Sequence, residues 1–106
     1  MTDVIQVFTT TATDADARKI ADALVNEGLA ACVQVVGPIR STYRWQGKIE
    51  TADEWLCIIK STDASYGELE AAIRRLHPYE VPEILAVPVC AGSQQYLDWL
   101  KGSVKT

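Results

Sequence analysis

A single histidine, no C-x-x-C pair and no glycine-rich phosphate cradle define this 106-residue chain by what it lacks. With one histidine and no second to assist it, no set of nucleophile, base and orienting group can be named, and the reading is not an enzyme. Cysteine is sparse: Cys32, Cys57 and Cys90 make an odd count, each inside an apolar run. A disulfide framework is excluded in favour of three reduced core thiols. No apolar run approaches the roughly twenty residues that span a bilayer. The opening Met1-Thr-Asp-Val4 carries neither a basic nor a long apolar segment, so the expectation is a cytoplasmic chain with no membrane partner. Basic charge is in the minority, with 10 Lys and Arg against 14 Asp and Glu, net charge -4 and a pI near 4.8. Those ten are scattered, which excludes a nucleic-acid partner, since phosphate backbone is bound by clustered cations.

What is present is ordinary globular material, 48% hydrophobic and 23% charged, with no linker, repeat or low-complexity tract. The expectation is one domain spanning 1–106. Val4 to Thr10 is β-rich. Thr13-x-x-Asp16 resembles a capping box, and Ala17, Ile20, Ala21 and Leu24 follow at helical spacing as far as Gly28. Ala30 to Val36 and Ile39 to Gln46 read as extended, bent at Gly37-Pro38. Gly47-Lys48 is expected to turn the chain back through the strand Glu54 to Ser61, making a long hairpin. Ser65-x-x-Glu68 matches a full capping box ahead of Leu69, Ala72, Ile73 and Leu76. Ile84 to Cys90 is a last strand, and Ser93 caps a short helix carrying Tyr96, Leu97 and Leu100.

The order βαββαβα describes an α+β, ferredoxin-like split βαβ sandwich, with its two long helices on one face of an antiparallel sheet. Cys32 to Val36 and Trp55 to Ile59 are nevertheless apolar on both alternating faces. Two helices cover one face, so the other is expected to meet another subunit.

Function is expected where two unusual segments meet. His77-Pro-Tyr-Glu-Val-Pro-Glu83 gathers the histidine, a phenol and two carboxylates on a connector stiffened by Pro78 and Pro82. Tyr43-Arg-Trp-Gln-Gly-Lys-Ile-Glu50 alternates large aromatics with charge. An exposed His77 beside Glu80 or Glu83 suits copper(II), which favours imidazole; equally, His77 is a helix-terminal residue ahead of the proline that stops the helix. Glu50, Glu54, Glu80 and Glu83 could form an acid-base pair or an oxygen-ligand site, or lie solvated. Lys60 follows an apolar run and could recognise an anion or staple subunits together. Tyr43, Trp45 and Tyr79 suit a planar ligand or an interface, with Trp45 expected to pack at a subunit interface together with Glu50 and Glu54. A pocket between subunits walled by Tyr43, Lys60, Tyr79 and Glu83 follows.

Several segments, in order and over nearly the whole chain, resemble the CutA divalent-cation tolerance family: Ala30-Ala-Cys-Val33, Tyr43-x-Trp45-x-Gly47-x-Ile49-Glu50, Glu54, Lys60-Ser-Thr62, the His77 to Glu83 connector and Tyr96-Leu-Asp-Trp99. The resemblance implies a ferredoxin-like cytosolic homotrimer related in architecture to the PII signalling proteins. It further implies a link to tolerance of copper and other divalent cations. In some members the proposed copper ligands are a cysteine near the end of the first strand and a His-His pair before the Pro-Tyr. Here they fall on Thr9 and on Leu76-His77. Three functions follow: a protein that binds or buffers divalent cations, a PII-like sensor of an unknown small molecule, or a trimeric scaffold.

Overall fold

The computed structural model describes residues 2–105. Strand β1 (Val4–Thr11) leads into helix α1 (Asp14–Asn26), whose N-cap is made as the sequence predicts: the Thr13 hydroxyl accepts from the Asp16 N–H at 3.0 Å. Strands β2 (Cys32–Trp45) and β3 (Lys48–Thr62) form the long hairpin. Its turn is Gln46-Gly47, one residue earlier than predicted. Both residues have positive φ, 51° and 79°, the twist that a two-residue hairpin loop requires. The bend at Gly37-Pro38 appears as a register shift between Val36 and Ile39. Glycine is required there because the Trp55 ring lies against it, with Cδ1 where a Cβ would stand.

Helix α2 (Tyr66–Leu76) follows a short 3-10 turn, then come β4 (Leu85–Pro88) and α3 (Gln94–Gly102). The expected capping box at Ser65 is not formed. Ser65 already has helical backbone angles as the end of the 3-10 turn, and its hydroxyl donates to the Lys105 carbonyl at 3.3 Å instead. The last strand is shorter than the span Ile84 to Cys90: it runs from Leu85 to Pro88 beside β1, with one further backbone bond from the Val89 N–H to the Val4 carbonyl at 2.9 Å.

The four-stranded sheet has the order β2-β3-β1-β4 with every neighbouring pair antiparallel, the ferredoxin-like arrangement the sequence predicts. Ile5, Val7, Cys57 and Ile59 meet Ala17, Ile20 and Leu24 of α1 and Leu69, Ala72 and Ile73 of α2 in the main core. Burying the Ile, Val and Leu side chains among these contributes about 1.5–3 kcal/mol each. The opposite face is only partly covered. There Val4 packs with Leu97, Leu100 and Val104 at one end, under α3. Beyond α3, Phe8, Leu56 and Ile58 are half-buried, and Val36, Leu85 and Val87 stand exposed.

The cysteines separate by face. Cys57 is fully buried with its thiol toward the Ala17 carbonyl, and burial pushes its pKa up to about 11. Cys32, paired with Lys60 on the side away from the two long helices, is half-buried; Cys90 lies past the end of β4 and is exposed. The expectation of three core thiols therefore holds for Cys57 alone.

The hairpin is longer than the sheet that carries it. Strand β1 pairs with Trp55–Thr62 of β3, so from Ile39 and Glu54 outward the two arms pair only with each other. This overhang gives the molecule its 44 Å long axis against 25 and 22 Å. A corner forms where the arm leaves the sheet, beside the end of β1, and the connector after α2 passes across it.

Candidate functional site

Pro78 ends α2. His77 takes extended angles, φ -82° and ψ 131°, as a residue before proline should, while its N–H still closes the helix onto the Ile73 carbonyl at 2.8 Å. The imidazole is buried, with 7% of its surface exposed, which corrects the expectation of an exposed ligand. Its Nε2 lies 2.7 Å from the Thr10 carbonyl oxygen. A carbonyl only accepts, so Nε2 carries the proton. Nδ1 is then the acceptor for the Tyr79 N–H at 3.1 Å. Both ring nitrogens are thus occupied within the chain, and the ring packs on Tyr79 with centroids 4.7 Å apart.

Held by this contact, Tyr79 extends its hydroxyl to donate to Glu54 Oε2 at 2.9 Å. Burial, the bond to Glu54 and the Glu54 charge push the Tyr79 phenol up to about 12, so it stays a donor at any ordinary pH. Glu54 sits at the root of the arm opposite Ile39 and is only 7% exposed. Among the described residues, no ion pair reaches this carboxylate; its hydrogen-bond partner is a neutral phenol. Glu83 faces the same corner. Although Glu83 is an exposed residue, partial desolvation at the pocket rim, and then the charge of Glu54, hold its carboxyl above the usual range.

These groups wall a pocket of about 580 Å³. The arm supplies Ser41, Thr42, Tyr43, Trp45 and Glu54; β1 supplies Thr10; the connector supplies Tyr79, Glu80, Val81 and Glu83. The two segments singled out in the sequence therefore do meet. Of the expected site residues, Tyr43, Trp45, Glu54, Tyr79, Glu80 and Glu83 share this pocket.

Four others do not. His77 lies behind the wall and positions it. Thr9 has no exposed surface, since its strand position points it into the main core, where its hydroxyl finds no partner. Lys60 is six residues along β3 from Glu54, a separation of about 20 Å on an extended strand. Its ammonium lies 3.5 Å from the Tyr96 hydroxyl of α3 instead, beside a separate, smaller depression. Glu50 is exposed on the outer arm opposite Tyr43. Sequence reasoning missed Thr10, Ser41, Thr42 and Val81. Val81 was within the connector already marked. Thr10 carried no signal, because it matters through its backbone carbonyl.

Among the described residues, no three His, Cys, Asp or Glu side chains are grouped so as to hold a metal ion unaided. Copper coordination by His77 would first require it to give up a backbone contact. The donors that do open on the pocket are carboxylate and hydroxyl oxygens, chemistry suited to hard cations.

With this geometry in view, the comparisons with known proteins are consistent. The family described as CutA1 divalent ion tolerance protein matches residues 5–103. The divalent-cation tolerance protein CutA of Thermus thermophilus is 45% identical over 95 residues, covering 90% of this chain and 92% of its own. Protein CutA, chloroplastic, of Arabidopsis thaliana is 40% identical over 101 residues, covering 95% of this chain and 56% of its own. The solved structure of CutA from Xylella fastidiosa superimposes with a TM-score of 0.94 at 40% identity, covering 97% of this chain and 99% of that one. A structure described as the periplasmic divalent cation tolerance protein CutA of Archaeoglobus fulgidus gives a TM-score of 0.93 at 33% identity, covering 96% and 99%. The chain belongs to the CutA1 family of divalent ion tolerance proteins. Its relatives carry names from more than one compartment. In this chain no helix among the described residues is long and apolar enough to cross a membrane.

Proposed function

We propose that this protein serves divalent-cation tolerance by binding the cation directly, as a cytoplasmic homotrimer, with Glu54 and Glu83 rather than His77 as ligands. The observation that carries this reading is Glu54: a carboxylate nine-tenths buried, without a positive partner among the described residues, facing a second carboxylate, Glu83, whose pKa is raised by desolvation and then by the Glu54 charge. Buried charges are retained where a counter-charge or a metal compensates them. A divalent cation bridging the two would remove their repulsion, with water completing an oxygen shell. Copper would bind such a site by its general rank among divalent ions, without the selectivity that imidazole supplies.

The trimer is supported by the sheet face that α3 leaves open, where Phe8, Val36, Leu56, Ile58, Leu85 and Val87 present a continuous apolar surface. Such a face is stabilised by burial against copies of itself. Light scattering on a dilute sample should return trimer mass, and a folded monomer would remove this part of the reading. Calorimetry with Mn(II) on the wild type and on Glu54→Gln tests the ligand assignment. Wild-type binding that Glu54→Gln weakens about tenfold supports it. Equal binding by both would assign the cation elsewhere.

A further inference from the structure

The pocket is much larger than a bare ion needs. At about 580 Å³ this open cleft lies in the size range of sites that hold small organic molecules, and a lone metal ion would leave most of it to water. Its wall also has a definite charge. Glu54, Glu80 and Glu83 line it, and neither Lys, Arg nor His is among the lining residues. An anion would add to the repulsion already felt by Glu83. A neutral molecule would leave Glu54 buried without a counter-charge. The remaining large side chains are Tyr43, Trp45 and Tyr79, whose ring faces carry negative potential and attract cations. A hard metal ion keeps its oxygen shell and draws nothing from those rings.

We propose that this pocket is a receptor for a small organic cation, a protonated amine or quaternary ammonium group, seated against Tyr43, Trp45 and Tyr79 with Glu54 as its counter-charge. The proposal rests on the pocket being a cation site and adds the class of ligand that its size and aromatic wall select. Inorganic divalent ions then compete for the same carboxylate, while the organic ligand alone uses the rings.

Calorimetry on the assembled protein separates the two. The probes are choline, its neutral isostere carrying a tert-butyl group in place of trimethylammonium, and Mn(II). Choline should bind at least about tenfold more tightly than the isostere. Trp45→Leu should weaken choline about fivefold while leaving Mn(II) within about twofold, and Glu54→Gln should weaken both about tenfold. Trp45 is 46% exposed and near the arm tip, so its replacement spares the core; unchanged assembly mass checks this. Equal binding of the isostere, no effect of Trp45→Leu, or no choline binding because a partner's basic side chain fills the pocket would each overturn the proposal. Mn(II) binding without choline binding would remove this inference and keep the metal site, whereas choline binding without Mn(II) binding would do the reverse.

Discussion

Replacing His77 tests whether its imidazole is a structural strut or a free ligand. In His77→Ala the Thr10 carbonyl loses a donor at 2.7 Å and the Tyr79 N–H loses an acceptor at 3.1 Å. Each lost bond costs about 1 kcal/mol where water enters, and up to about 3 kcal/mol where it does not. Removing the ring also takes away its packing on Tyr79. A total near 3 kcal/mol is expected. Two further variants sharpen the test. An asparagine side chain reaches roughly to the position of Nδ1 and can accept from Tyr79; glutamine reaches toward Nε2 and can donate to Thr10. Each should therefore recover about 1 kcal/mol of the loss. Urea unfolding at one fixed protein concentration measures all three, so that any contribution of assembly is held constant. An alanine variant within about 0.5 kcal/mol of the wild type would refute the strut, as would Asn and Gln variants no better than alanine.

The other expected outcomes concern titration and reactivity. The Glu83 carboxyl is raised in the fold, so it favours the folded state when protonated: that contribution is fully present below the usual carboxylate range and is lost as pH rises through the raised value. Glu83→Gln should therefore raise the urea midpoint at neutral pH by an amount worth about a few tenths of a kcal/mol, small because the side chain is exposed, and the gain should vanish on acidification. A gain that grows on acidification would reverse the sign of the argument. Among the thiols, exposed Cys90 should react with an aromatic disulfide within minutes while Cys57, buried and held protonated, waits for unfolding. Rapid labelling of Cys57 in the native protein, read by peptide mass, would contradict its burial.

The strand and helix order was legible because it rests on local signals: the Thr13 cap, the spacing of Ala17, Ile20 and Leu24, and the proline after His77. Ser65 shows where local signals fail. Its pattern with Glu68 is right, but the hydroxyl is drawn to Lys105, forty residues away in sequence. His77 fails for the same reason, since the carbonyl that buries it belongs to Thr10, sixty-seven residues away. The pocket was half legible. Composition marked its two walls, yet Lys60 and Glu54 stand too far apart along one strand to share it, a distance that their sequence positions alone imply. The departure of Thr9 and Leu76 from the copper ligands proposed for some members of the family has a physical counterpart: Thr9 has no exposed surface from which to reach a metal.

The overhanging arm makes the pocket a joint between two bodies. One wall, Ser41, Thr42, Tyr43, Trp45 and Glu54, belongs to the hairpin; the other, Thr10 and the connector residues Tyr79, Glu80, Val81 and Glu83, belongs to the sheet and the segment after α2. Anything seated between them braces the arm at one angle to the body. Anything that braces the arm from outside prepares the pocket. Thermodynamic reciprocity then sets the two effects equal: if association through the arm tightens the ligand by some factor, the ligand tightens association by that same factor. In a molecule 44 Å long with its pocket at the root of the arm, a ligand and an association that favour the same arm angle reinforce each other.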